Sequence, residues 1–332
     1  MEKYFNDAII GNKEITASFT NKGELIRFFF PNTDYRQFID FLHIGVQIND
    51  SSMIYLHNDI NNTYNQYYTK DTNILNTEIL NTYFKLKVLQ TDFVCDNKNI
   101  LVRKYKMKNE NNIDLNMNFI IYSSLLTNSN NQVSGYCKDN CLFQYMHDYT
   151  FTVCSNKKIK KSQINNNESN IYTGKIGDKD YIGMSSDSSI NYDLGILKPN
   201  QEIEFAIYIT AFRDAEIKLI EKNIEGIQKL DYKKELERTK KYWEKYVKEH
   251  DSIKIKDSNS EYMNKIKKIY KRSILLYPLL INYITGGISA AVEIDENRTK
   301  CGRYSYCWPR DRNIYNKCIK YTKNGERIRK IL

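Results

Sequence analysis

The chain has 332 residues, of which 41% are hydrophobic and 13% aromatic, and it is therefore long and apolar enough to bury the cores of two or more ordinary domains. Its formal net charge is +10, but the lysines are spread along the chain and no basic helix or aromatic RNA-binding motif concentrates them. This pattern is typical of solvated lysine faces, and no nucleic-acid partner is predicted.

The cysteines and the apolar runs indicate the compartment. An odd number of cysteines, seven, without a secretory signal at the N-terminus favours reduced thiols and a cytoplasmic location. The longest apolar run, residues 274–284, is shorter than the roughly 20 residues that a membrane span requires. No membrane partner is therefore predicted. Cys137 and Cys141 have no second ligand pair at matching spacing, so no metal site is predicted either.

Residues 13 to about 212 alternate apolar and polar side chains with a period of two, which predicts β-strands. Lys13 to Phe30 predicts a hairpin, in which Gly23 supplies the left-handed turn position. Many antiparallel strands with one solvated face indicate a mainly β fold, with an antiparallel β-sandwich over residues 1–212. Similar strands are predicted at 83–93, 147–154 and 202–210.

A second hairpin is predicted where two alternating runs meet. Residues 101–108 alternate in one run, and residues 113–121 carry an apolar side chain at every second position in the next. The turn between them falls at Asn109 to Asn112. The second strand is expected to be apolar on one face and polar on the other.

The period then changes to three or four residues, which predicts a helical linker over 213–257. One helix carries regularly spaced isoleucines. Another follows Asp231 and is so highly charged that only a narrow stripe can be buried, which suits a helix on a domain surface. A third is predicted from about Ser258 to Asn282, with an apolar face that includes Tyr262, Ile266 and Ile269, and Pro278 should kink or end it.

The segment CGRYSYCWPRD, residues 301–311, is the most informative in the chain. Aromatic rings offer flat apolar faces to the C–H side of a pyranose, while a guanidinium and a carboxylate serve neighbouring hydroxyls as donor and acceptor. The adjacent Arg310 and Asp311 have a second interpretation, in which the carboxylate caps a helix that begins there. The residues alone leave the two interpretations open.

The sequence from YKRSILLYPLLINYITGG through CGRYSYCWPRD, together with the strand-rich N-terminal part and the charged helices, resembles the bacterial and archaeal glucoamylases and glucodextranases of glycoside hydrolase family 15. N-terminal similarity rests on AIIGNKEITASFTNKGELIRFFFPNTD and NTYFKLKVLQTDFVCDNKNILVRKYKMKN. The resemblance implies an N-terminal super-sandwich over 1–212, the linker over 213–257, and the first helices of an incomplete (α/α)6 barrel over 258–332.

By that resemblance, Arg310 and Asp311 hold hydroxyls of the non-reducing terminal glucose, and Tyr304 and Trp308 line the same subsite. A carboxylate beside an arginine stays ionised and can fix a sugar without acting as the proton donor. The implied substrate is an α-glucan or maltooligosaccharide, and hydrolysis by paired carboxylates needs no cofactor. Tyr306 and the cysteines of the segment are assigned structural roles.

Family 15 enzymes hydrolyse terminal α-glucosidic bonds with inversion, which needs two carboxyl groups roughly 6.5–9.5 Å apart. The resemblance places both family glutamates in later barrel loops, so no catalytic residue is assigned in this chain. The segment after Asp311 is strongly basic where the family has a small apolar helix, which predicts a truncated family member that is inactive alone. Such a fragment would expose the apolar face of the third helix.

Two alternatives stay open. The sandwich could serve as a non-catalytic carbohydrate-binding or interaction module, with Tyr64, Tyr67 and Tyr68 as candidate ring surfaces. The favoured interpretation of these tyrosines is that they cover core edges. The chain could also be one half of a split enzyme that a complementing C-terminal fragment completes.

Overall fold

A computed structural model describes residues 6–35, 37–51, 53–126, 133–146, 148–165, 173–177, 182–184, 187–213, 217–253, 260–294 and 305–308. The described chain is mainly β, with three antiparallel sheets and three α-helices. The strands are β1 (Ala8–Gly11), β2 (Thr16–Phe19), β3 (Leu25–Phe29), β4 (Ile39–Ile48), β5 (Ile54–Tyr55), β6 (Asn62–Tyr68), β7 (Leu75–Asn81), β8 (Leu86–Val94), β9 (Leu101–Asn109), β10 (Leu115–Leu125), β11 (Val133–Lys138), β12 (Cys141–Met146), β13 (Tyr149–Ser155), β14 (Ile159–Ile164), β15 (Ile182–Gly183), β16 (Asp187–Leu197) and β17 (Glu202–Arg213). The helices are α1 (Ile217–Gln228), α2 (Tyr232–His250) and α3 (Glu261–Leu276), and a 3-10 turn follows at Tyr277–Leu279.

The sheets enclose one large apolar core. The nine-stranded sheet has the order β15-β11-β12-β13-β17-β9-β8-β7-β6, the five-stranded sheet the order β14-β16-β10-β4-β5, and β1-β2-β3 form the third. Phe119 of the five-stranded sheet packs 4.9 Å, centroid to centroid, from both Tyr105 and Phe205 of the nine-stranded sheet. These contacts between the two large sheets are those of a β-sandwich, as the sequence predicted.

The nine-stranded sheet is buried on both faces in its centre. On β17, Phe205 and Ile207 point into the sandwich core. Tyr208, the residue after Ile207, points to the opposite face, where it belongs to a second apolar cluster with Ile220 and Ile224 of α1. The side chains on one face of β17 therefore pack in one hydrophobic core and those on the other face in a second, so that neither face meets solvent there.

The first predicted hairpin is confirmed. Strands β2 and β3 pair in antiparallel register, and Gly23 has a φ of 86°. The carbonyl of Gly23 accepts hydrogen bonds from Arg103 Nη2 at 2.7 Å and Gln90 Nε2 at 2.9 Å. Arg103 also forms a fully buried ion pair with Asp92, Nε to Oδ1 2.8 Å, so this turn is fixed to the nine-stranded sheet by a charged group.

The second predicted hairpin is wrong in its pairing, although both strands exist. Strand β9 pairs with β8 and β17, whereas β10 pairs with β4 and β16 in the other sheet. The connection at 110–114 therefore crosses from one sheet to the other. Alternation specifies which face of a strand is buried but not which strand lies beside it, and the apolar faces of β9 and β10 meet across the core. Strand β10 also has few exposed positions, because Asn118 and Ile120 on its outer face are buried as well.

The helices follow the predicted periodicity. Asp231 caps α2, accepting hydrogen bonds from the backbone N–H groups of Lys233 and Lys234 at 3.2 Å each. The buried stripe of α2 is narrow, as its charge predicted, and Trp243 is its largest member. Helix α3 ends at Leu276, earlier than predicted, because Pro278 tightens the chain into the 3-10 turn. None of the described helices has the length and apolar character needed to cross a bilayer.

Phe119→Ala should test the contact between the sheets. The substitution removes a fully buried ring from the meeting point of both sheets, and we expect the free energy of unfolding to fall by about 3–5 kcal/mol. Ile60→Ala is the matched control: Ile60 is 98% exposed, and its loss should change stability by less than about 0.5 kcal/mol. Urea unfolding measures both. Equal effects of the two substitutions would contradict the core packing described here.

Candidate functional site

The structure describes part of the predicted sugar-binding segment. Trp308 is half-exposed, with 42% of its surface accessible, whereas Tyr304, Arg310 and Asp311 lie outside the described residues. Tyr306, to which the sequence assigned a structural role, has a ring that is 52% exposed. The structure thus brings Trp308 and Tyr306 to the surface of one short segment, and two exposed rings at alternate positions can contact a sugar.

The backbone of this segment is held against the loop that precedes it. Ser289 and Cys307 form an isolated antiparallel bridge, and the N–H of Ala290 donates to the carbonyl of Tyr306 at 3.0 Å. Tyr306 therefore combines a structural backbone with an exposed ring. The loop itself folds back at Gly286, whose φ of 69° allows the Ile281–Ile288 bridge to close.

The connection between β3 and β4 fixes this loop by side-chain hydrogen bonds. The hydroxyl of Thr33 donates to Ser289 Oγ at 2.8 Å, and Ser289 Oγ donates to Asp34 Oδ1 at 3.2 Å. Asn282 Nδ2 donates to the other oxygen of Asp34 at 2.9 Å. One carboxylate thus holds both ends of the turn that supports the Trp308 segment.

A buried arginine makes a further contact between the sandwich and the loop. Arg27 on β3 is fully buried, and its Nη2 donates to the carbonyl of Ile294 at 2.7 Å. Sequence reasoning missed this residue. The available signal was a single charged side chain within the apolar run LIRFFF, because a buried charge in such a strand requires a polar partner from elsewhere.

Helix α3 is anchored to the sandwich at the β6–β7 turn. The guanidinium of Arg272 lies 4.0 Å from the ring centroid of Tyr68 and donates to the carbonyl of Thr72 at 3.1 Å and to Asn73 Oδ1. Asn73 Nδ2 in turn donates to the carbonyl of Leu275 at 3.0 Å. Burial lowers the pKa of Arg272, which remains a cation because an unperturbed arginine titrates far above neutrality.

The three tyrosines proposed as ring surfaces mostly cover the sandwich edge. Tyr68 Oη contacts the backbone of Ile9, and Tyr64 Oη donates to the carbonyl of Leu56. Tyr67 is the most exposed of the three, and its hydroxyl donates to Glu78. The interpretation in which they cover core edges therefore fits Tyr64 and Tyr68.

The cysteines that the structure describes are not joined in disulfides. Cys137 and Cys141 lie on the two strands of the β11–β12 hairpin, and Cys154 lies opposite Cys141 on β13. Burial raises the pKa of Cys137 and Cys141, which disfavours the thiolate that a metal needs. The described ranges contain no cluster of three or more potential metal ligands.

Helix α3 exposes apolar side chains on the side away from α2. Tyr262 and Ile269, two turns apart, are exposed by 71% and 67%. Ile274 and Leu275, by contrast, pack with Trp243 and Val247 of α2. The exposed apolar face that the sequence predicted for this helix is confirmed.

Comparison with known proteins supports a glycoside hydrolase-like fold. No family model matches the sequence. An uncharacterized glycosyl hydrolase of Methanocaldococcus jannaschii is 26% identical over 320 residues, which cover 91% of this chain and 48% of that protein. The crystal structure of a bacterial glucoamylase in complex with acarbose superposes with a TM-score of 0.76 at 12% identity, covering 99% of this chain and 49% of that one.

A candidate kojibiose phosphorylase from the human microbiome is also similar, with a TM-score of 0.60 at 14% identity over 88% of this chain and 43% of that one. The chain thus has a glycoside hydrolase-like fold, and its mainly β architecture is consistent with a glucoamylase-like N-terminal sandwich. It spans about half the length of the relatives that it matches.

Asp34→Ala should loosen the Trp308 segment without unfolding the sandwich, because it removes the two hydrogen bonds that the Asp34 carboxylate accepts from the loop. With Trp243 replaced by phenylalanine, Trp308 is the remaining tryptophan, so acrylamide quenching of its emission measures its accessibility. We expect a larger quenching constant for Asp34→Ala and an unchanged one for Asp114→Ala, an exposed aspartate elsewhere on the surface. Identical constants for both variants would show that Asp34 does not position the segment.

Proposed function

We propose that this chain belongs to the glucoamylase-type proteins of glycoside hydrolase family 15 and binds the non-reducing end of an α-glucan or maltooligosaccharide. In this proposal Arg310 and Asp311 hold hydroxyls of the terminal glucose, while Trp308 and Tyr304 line the same subsite. Tyr306 is added as a further ring surface. The proposed division is a sandwich over 1–212, a helical linker over 213–257 and the start of an (α/α)6 barrel over 258–332.

The observation that carries the proposal is the exposed ring of Trp308 on a segment hydrogen-bonded to the 281–294 loop, in a chain with a glucoamylase-like fold. The Trp308 ring is 42% exposed, and backbone hydrogen bonds fix the segment that carries it. Such a ring is suited to stacking on a sugar, because the segment loses little conformational freedom when the ligand binds.

We further propose that the chain does not turn over glucosides alone. Inverting hydrolysis requires an acid and a base on opposite faces of the sugar. The chain matches about half of each relative, which supports a reaction completed by residues outside these 332. The exposed apolar face of α3 supports the same idea, since further barrel helices, in one chain or in a complementing fragment, would cover it.

Sugar binding can be tested with Trp308 as the reporter. In the Trp243→Phe background, maltotetraose should change the emission of Trp308 in a saturable way, and cellotetraose, with β-linkages, should change it less. Asp311→Ala should abolish the response, because it removes the proposed acceptor for the hydroxyls, while leaving the unfolding midpoint unchanged. Absence of any response at millimolar maltotetraose would contradict the proposal.

Activity is tested separately. Incubation of the purified chain with maltooligosaccharides should release no glucose, and glucose release that Asp311→Ala abolishes would overturn the proposed inactivity. Co-expression with a downstream reading frame, followed by size-exclusion chromatography, tests the split-enzyme alternative. Failure of the two products to co-elute would count against that alternative.

A further inference from the structure

A second group of rings lies on the outer face of the five-stranded sheet. Leu42 and Ile44 of β4 point into the sandwich core, so Phe41 and His43 point away from it. The two rings stack with a centroid separation of 4.9 Å and an interplanar angle of 11°. Tyr122 of β10 lies opposite His43 in the strand register and packs 4.8 Å from Phe41.

This aromatic patch is only partly covered. The side chain of His43 is 35% exposed, and Tyr55 of β5 packs against it edge to face at 5.7 Å, while Tyr122 is buried and forms the floor. Phe41 is partly accessible as well. The sandwich core does not use these rings, because they lie on the opposite side of the sheet.

A carboxylate lies at the edge of the patch. Glu24 follows Gly23, whose carbonyl is fixed by the buried Arg103, so the β2–β3 turn has a defined position. Glu24 Oε1 lies 3.0 Å from His43 Nδ1. Burial works to raise the pKa of Glu24, but the hydrogen bond from His43 and the charges of nearby groups outweigh it, and the pKa is lowered.

The proton arrangement leaves two acceptors beside the rings. An ionised Glu24 can only accept, so His43 Nδ1 carries the proton that it donates, and whenever the imidazole is neutral its Nε2 is an acceptor. Neither Nε2 of His43 nor Oε2 of Glu24 hydrogen-bonds another group in the described part of the chain. A ligand that fits here supplies two neighbouring donors and an apolar face.

We propose that the patch formed by Glu24, Phe41, His43, Tyr55 and Tyr122 binds one pyranose unit of an oligosaccharide. Two adjacent sugar hydroxyls donate to Glu24 Oε2 and His43 Nε2, and the C–H side of the ring rests on the exposed parts of Phe41 and Tyr55. The choice of α-glucan as the probe rests on the proposed function. The patch shares no residue with the Trp308 segment and is therefore proposed as a second binding site, located on the sandwich.

Histidine NMR tests this proposal. The chain has four histidines, of which His57 and His250 are buried and serve as internal controls, and His43→Gln assigns the reporter signal. In histidine-labelled protein, maltotetraose should shift the His43 ring signals saturably and leave those of His57 and His250 unchanged. Glu24→Gln should abolish the shift, and Tyr55→Ala should weaken binding about two- to tenfold. Circular dichroism confirms that each variant is folded.

The outcomes separate this site from the proposed function. A response of Trp308 without one of His43 overturns this inference and leaves the proposed function intact. A response of His43 without one of Trp308 supports the inference and contradicts the Trp308 subsite. Tetramethylammonium is the control for cation binding. If it shifts the His43 signals and maltotetraose does not, the inference is overturned, because the patch would then recognise a cation rather than a polyol.

Discussion

The docking of α3 on the sandwich depends on the partly buried guanidinium of Arg272. Its charge is stabilised by the ring of Tyr68 and by oxygens of the β6–β7 turn. A hydrogen bond to a charged group contributes about 1.5–3 kcal/mol, and loss of these partners would leave a partly buried cation without compensation. This constraint holds α3 in one place on the sheet and, with it, the chain that follows.

The loop and the ring-bearing segment are positioned by the same sandwich. Ile9 of β1 packs with both the α2–α3 cluster and the cluster around Ile281 and Ile288, so one strand contacts two consecutive parts of the C-terminal region. Asp34 and Arg27 then add polar contacts to the same loop. The sandwich therefore acts as a scaffold for the proposed sugar-binding wall, and its outer face offers a second proposed site.

The sequence predicted the positions of the strands and helices better than it predicted which of them lie side by side. Alternation located β17, and Gly23 marked a turn, because both signals are local. The 109–112 connection was misassigned, because a crossover between sheets and a hairpin have the same alternating pattern. The network of Asp34 and Ser289 could not be predicted, because it joins residues 255 positions apart. Of the predicted site residues, Trp308 is half-exposed and Tyr304, Arg310 and Asp311 lie outside the described residues, so the assignment of all four to a sugar subsite stays a prediction.

Hydrogen–deuterium exchange on Arg272→Ala tests the central claim that this partly buried cation fixes the C-terminal region to the sandwich. We expect faster exchange in α3 and residues 280–290, with unchanged exchange in β9, β10 and β17. Arg238→Ala, which removes a half-exposed ion pair with Asp96, should leave all of these regions unchanged. Unaltered exchange in α3, or equal acceleration throughout the sheets, would contradict this role of Arg272.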